Sequence, residues 1–350
     1  MLLLLCPDSL PGNAAAFQTG PSVTVSFILG GIVSGIAALS YAEMASMIPI
    51  AGSAYTYAYA TLGELTAWII GWDLILEYMI GAATVSVGWS QYFVSFLSDA
   101  FGVNLISSPW TSAPIVWENN QFQLSGAIFN APAFVISIIV TTIIFFGISM
   151  TARINNVLVV FKMTVLLIMI FALIPFIKKE NYHPYIPPND GTYGQFGVSG
   201  LLQSASTVFF AYIGFDSVST TAQEAKEPQV NLPVGIMMTL LISATVYIAI
   251  SVVTVGVANY KDLGSGSPLV YTVQLTGMKW LVILTEIGAL AATTSVIQVL
   301  LIAQPRVFYA MANDGMIPRV FGKVHPKYKV NIEQPKSVQG QKSIFSSTVF

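Results

Sequence analysis

A chain of 350 residues that is 55% hydrophobic and only 9% charged, with a mean hydropathy of +0.72, carries too little charge to cover a soluble surface, where about a quarter of residues are charged. Its net charge of −2 gives no argument for a nucleic-acid partner, and a single cysteine, Cys6, excludes an internal disulfide and a cysteine-based metal site. Seven apolar windows reach the roughly 20 residues that a bilayer span needs, at 22–47, 65–97, 131–150, 157–177, 201–221, 232–258 and 280–303. They follow one another too closely for soluble domains to lie between them. The expected fold class is all-α, a polytopic transmembrane helical bundle of about seven spans.

The first 13 residues are atypical. Their apolar run is short, lacks a basic leader and is cut by Pro7, so it reads neither as a signal peptide nor as a helix. Charge placement orients the rest. With the C-terminus cytoplasmic, Arg153, Lys226, Arg306, Arg319, Lys323, Lys327, Lys329, Lys336 and Lys342 fall inside, whereas only Lys178, Lys179, Lys261 and Lys279 fall outside. The polar loops 98–130 and 178–200 then lie on the outer face, and 329–350 forms a polar, divergent tail.

Ionisable residues inside spans are functional candidates because charge in hydrocarbon is costly. They are Glu43, Asp73, Glu77, Lys162, Asp216 and Glu286. Glu43, near a helix end, and Glu286, beside small residues, are adequately explained by helix packing. Asp73 and Glu77 are four apart on one helix face, and two carboxylates facing lipid would not be tolerated, so that face is expected to point into the bundle. Asp73 reads equally well as a bond to a neighbouring helix. Glu77 is deeper, and the small residues Gly81, Ala82 and Ala83 after it leave room for a ligand. Lys162 sits alone in an apolar helix, about one and a half turns from the start of its window. One reading is a stem snorkelling to the cytoplasmic interface; the other is a buried ammonium that replaces a coupling cation and exchanges a proton.

The segment 201–233, LLQSASTVFFAYIGFDSVSTTAQEAKEPQVNLP, is an apolar run interrupted at Gly214 and Asp216. Helix propensity falls at both residues, and non-helical backbone at membrane depth is tolerated only where it lines a buried or watery cavity. Broken helices of this kind hold substrate at the midplane of secondary transporters. No metal cluster, nucleophile–base pair or phosphate loop is visible, so no cofactor is expected and a membrane enzyme is remote.

SYAEMASMIPIAGSAYTYAYATLGELTAWIIGWDLILEY resembles the second and third helices of the cationic amino acid transporters, a branch of the amino acid–polyamine–organocation superfamily. FFAYIGFDSVSTTAQEAKEPQVNLPVGI resembles that family's sixth helix, and AQPRVFYAMANDGMIPRVFGKVHPKY the end of its eighth. Residues 14–328 are thus similar to a permease domain. Gln223 and Asn313 depart from the family's usual acid and base.

The resemblance implies a leucine-transporter-type inverted repeat, with an amino acid substrate held between broken first and sixth helices. It implies that Phe210, Ala211 and Ile213 offer backbone to the substrate amine, with Asp216 beside the site and Glu77 bordering the side-chain pocket. Lys162 matches the fifth-helix lysine that takes the place of sodium, which favours the proton-coupling reading. The family's first helix and those after the eighth have no counterpart here, so the permease domain is expected to be incomplete. The functional expectation is secondary active transport of cationic (arginine, lysine) or small neutral amino acids, proton-linked, in the plasma or vacuolar membrane. The alternative is a non-transporting membrane protein that associates with full-length partners. Backbone at 210–216 that lacks a partner across the site costs several kcal/mol per polar group in hydrocarbon. The chain alone is therefore expected to show no saturable amino acid uptake above that of empty liposomes.

Overall fold

The computed structural model describes residues 10–322, apart from 51, 104, 106–107, 113, 119–120, 146–147, 190, 213, 222–224, 226 and 265–266. The helices in chain order are α1 (Leu10–Asn13), α2 (Val23–Met47), α3 (Ala54–Leu62), α4 (Glu64–Phe101), α5 (Ala131–Phe145) and α6 (Ile148–Leu173). They continue with α7 (Gly197–Phe209), α8 (Pro228–Val257), α9 (Pro268–Gln274) and α10 (Lys279–Asn313). Each of the seven expected windows overlaps at least one of these, although 131–150 covers α5 and the start of α6 and 201–221 runs past the end of α7. Among the described residues six helical stretches are long and apolar enough to cross a membrane, and α5, with 15 residues, is a shorter apolar helix. The protein is a helical membrane bundle, as its composition dictates.

Two local features differ from the sequence expectation. Helix begins before the first window: α1 runs into a π-helical turn at Ala14–Thr19, and the chain then bends at Gly20 (φ 67°) and Pro21. This segment lies against the start of α7, where the Phe196 amide donates to the Gln18 carbonyl at 2.6 Å and the Thr207 hydroxyl bonds the Gln18 side chain. Gly200 lets that carbonyl approach, since a Cβ there would collide with it. The loop 98–130 also contains an antiparallel hairpin, β1 (Ile115–Glu118) and β2 (Gln121–Leu124), with Ile115 opposite Leu124.

Two buried clusters organise the bundle. In one, Phe27 of α2 meets Tyr247 of α8 and Tyr212, just after α7, with ring centroids 5.3–6.4 Å apart. In the other, Tyr78 and Val85 of α4 and Val140 of α5 pack on Ile297, Leu300 and Val307 of α10. Because lipid is as apolar as leucine, such packing relies on close approach at small residues rather than on water exclusion. Gly288 of α10 is one such point: a Cβ there would lie 2.6 Å from Cγ1 and 3.1 Å from Cβ of Val165 on α6. Gly71 of α4 does the same beneath Met311 and Tyr55.

A β-branched neighbour on a helix has essentially one rotamer and cannot swing aside. Gly288→Ala should therefore destabilise the chain by about 1–3 kcal/mol, the usual cost of overpacking. Gly35→Ala, which meets only Leu240 at 3.8 Å, should be neutral or slightly stabilising. Unfolding of both variants in detergent checks the contrast.

Candidate substrate and coupling sites

The helix that α7 begins is broken midway. After Phe209 a 3-10 turn covers Phe210–Tyr212, Gly214 adopts φ 113°, and a second 3-10 turn covers Asp216–Thr221. Only glycine takes such a φ without strain. Hydroxyls then accept the backbone's unmet demand: Ser217 Oγ donates to the Gly214 carbonyl at 2.6 Å, Ser219 Oγ to the Asp216 carbonyl at 2.5 Å, and Thr220 Oγ1 to the Ser217 carbonyl at 2.7 Å. The break is a built feature rather than a frayed end.

Asp216 is its buried anchor. Its Oδ2 accepts from the Tyr78 hydroxyl at 2.7 Å and from the Ser53 hydroxyl at 3.5 Å, and backbone groups of Gly214, Asp216 and Ser217 add to its hydrogen bonding. Ser53 lies in a loop with left-handed backbone (φ 54°), held against the break. Tyr78 and Ser53 were not singled out from sequence. The available signal was that a tyrosine hydroxyl deep in a span needs a partner.

The other expected residues divide. Phe210 is 53% exposed, whereas Ala211 is buried and its carbonyl already accepts the Tyr247 hydroxyl at 3.1 Å. Ile213 lies outside the described residues. Glu77 and Asp73 share a face of α4 as their spacing demands, but both are exposed, so the expectation that this face is packed into the bundle is not met among the described residues. The next residue, Tyr78, is the one that turns inward to Asp216. Glu77 nonetheless lies within electrostatic reach of Asp216, and Tyr41 within reach of both. The structure therefore gathers Phe210, Ala211, Asp216 and Glu77 around one break.

Lys162 is elsewhere, on the seam between α6 and α10. The helix starts at Ile148, well before the apolar window, so Lys162 lies 14 residues inside it, about 21 Å along the axis. The helix thus extends further before Lys162 than the apolar window does. The side chain is 6% exposed and its Nζ donates to Ser295 Oγ at 3.4 Å. Among the described residues no carboxylate is within ion-pair distance. Glu286, further along α10, is fully buried, and neither oxygen has a hydrogen-bond partner among the described residues. No group of three or more metal-ligating side chains occurs among them.

The amino acid permease family model matches residues 8–333. The chain belongs to that family. It is 42% identical over 321 residues to a methylthioribose transporter of Bacillus subtilis, covering 91% of this chain and 66% of the relative. It is 42% identical over 318 residues to the branched-chain amino acid permease BcaP of the same organism, covering 91% and 65%. To the vacuolar cationic amino acid transporter 4 of Arabidopsis thaliana it is 35% identical over 324 residues, covering 93% and 52%. The chain thus spans between half and two thirds of the length of these permeases and transporters, none of which is an enzyme by name.

Removing the Tyr78 hydroxyl leaves the Asp216 carboxyl with one long side-chain bond in a buried place. Tyr78→Phe should cost about 1–3 kcal/mol, the usual penalty for stripping a partner from a buried acid. Tyr92→Phe, on the same helix but remote from the break, should cost less. Both are read by unfolding in detergent.

Proposed function

We propose that the chain forms the substrate-handling part of a secondary active transporter for cationic or small neutral amino acids, driven by protons through alternating access. The observation that carries this reading is the built break at 210–216 in a member of the amino acid permease family. Non-helical backbone of this kind suits a substrate ammonium. Glu77, near the same break and open on its other side, favours a second positive charge such as that of arginine or lysine. The relatives' names span cationic, branched-chain and methylthioribose substrates, so the test panel includes all three kinds.

Lys162 is the proposed proton site. It is buried on the α6–α10 seam with no carboxylate partner among the described residues, so gain or loss of its proton changes the net charge at that seam. Such a change biases a two-state equilibrium, which is what a coupling ion must do. The charge distribution of its loops supports a cytoplasmic C-terminus, in the plasma membrane or a vacuolar or other endomembrane.

The decisive experiment is uptake of labelled arginine, lysine, alanine, leucine and methylthioribose into proteoliposomes. It is run with the chain alone and with the chain extended by the helices that its relatives carry. In the extended protein, Glu77→Gln should reduce arginine uptake at least tenfold more than alanine uptake, since a charge–charge interaction in a partly desolvated site is worth on the order of a few kcal/mol. Equal loss for both substrates makes Glu77 structural.

Coupling is tested in the same protein by uptake with and without an imposed pH gradient. Lys162→Ala should abolish gradient-driven accumulation, and Lys162→Arg should not restore it, because guanidinium keeps its proton. An alanine variant that still follows the gradient removes Lys162 from the mechanism.

A further inference from the structure

The seam that holds Lys162 contains a second residue whose chemistry points at it. Ser295 Oγ accepts from the Lys162 ammonium at 3.4 Å and itself donates to Asn155 Oδ1 at 2.6 Å. Asn155 and Lys162 are seven residues apart on α6, two turns along one face, while Ser295 comes from α10. An ammonium only donates and an amide oxygen only accepts, so the direction of this chain is fixed. The one hydroxyl proton of Ser295 is committed to Asn155, which turns its lone pairs toward Lys162. A further rung sets the register: the Gln298 amide donates to the Thr151 carbonyl at 2.7 Å, both residues being buried. Thr151 is one turn before Asn155, and Gln298 one turn after Ser295, so the two helices are pinned beside the contact.

We propose that Asn155 is the positioning residue for the Lys162 ammonium, acting through the hydroxyl of Ser295. The proposal rests on the reading of Lys162 as the proton site. Asn155 touches neither substrate nor the exchanging nitrogen; it decides whether Ser295 offers Lys162 a lone pair or a proton. Of the helices packed on α6, which are α5, α8 and α10, none presents another titratable group to the ammonium among the described residues. The Asn155–Ser295 pair is thus the nearest lever on its proton affinity.

The test uses the purified chain in lipid nanodiscs and needs no transport. Lys162 is labelled by reductive methylation across a pH series, and its rate is followed by mass spectrometry of the peptide that contains it. The midpoint of the rate profile reports proton exchange, whereas the high-pH plateau reports access. Asn155→Ala should lower the midpoint, changing the rate at the parent's midpoint about threefold with the plateau unchanged, as expected for one reoriented hydrogen bond, and Asn155→Leu, similar in size to asparagine and uncharged, should do the same. In a Ser295→Ala background, Asn155→Ala should add nothing, because the relay is already cut.

Three results overturn the proposal: profiles that match the parent, shifts that persist without Ser295, or changes confined to the plateau. A flat profile for the parent itself overturns the proton-site reading, and the positioning role with it. The Asn155→Leu variant keeps the test open should alanine loosen the fold.

Discussion

Every backbone polar group in a bilayer must find a partner within the protein, and the rest of this structure follows from how that demand is met at 210–221. A continuous helix meets it automatically. Here the helix is interrupted, and the chain supplies a run of serines and threonines whose hydroxyls bond carbonyls three residues back. Asp216 then ties the turn to α4 through Tyr78 and to the 52–53 loop through Ser53. The break's own hydroxyls, α4 and the 52–53 loop together hold this stretch out of the α-helical form.

α10 is the second organising element, because both buried clusters and the lysine seam meet on it. Its first third approaches α6 through Gly288, its middle carries Ser295 and Gln298 toward α6, and its last third packs on α4 around Gly71. The break and the lysine are thus joined to the same helix pair: Tyr78 and Gly71 sit on α4, α4 lies along α10, and α10 holds Ser295. Displacing α6 against α10 has to break the Asn155–Ser295–Lys162 chain, whereas displacing the break has to release Asp216. Two polar latches of this kind, on opposite sides of a packed helix pair, suit a bundle with discrete rather than continuously deformable arrangements.

Much of this was legible from the residues. Apolar windows locate helices because bilayer thickness fixes their length, and all seven windows overlap helices. The break was legible too, from Gly214 and Asp216 in an otherwise apolar run. Less visible was anything that depends on a partner distant in the chain. Tyr78 looks like one more large residue of α4 until Asp216, 138 positions away, is placed against it. Lys162 looked shallow because hydropathy marks where apolar residues start, while α6 begins earlier with the polar residues Thr151, Arg153, Asn155 and Asn156. The helical turn at Ala14–Thr19 escaped notice for the opposite reason: its stability comes from packing on α7, not from any local capping signal.

Those same polar residues at the start of α6 show why composition alone undersells the seam. Asparagine and threonine are poor helix formers, and at a span's end they ordinarily read as an interface with water. In the fold Thr151 is buried at 1% exposure and Asn155 is partly buried, both bonded to α10. They lengthen the helix beyond the hydrocarbon-like window and carry a polar ladder from its start down to the ammonium. A lysine fully enclosed by leucine and valine would have no route for exchanging a proton and no orientation for its charge. The Asn155–Ser295 ladder is the side on which the buried ammonium meets other polar atoms.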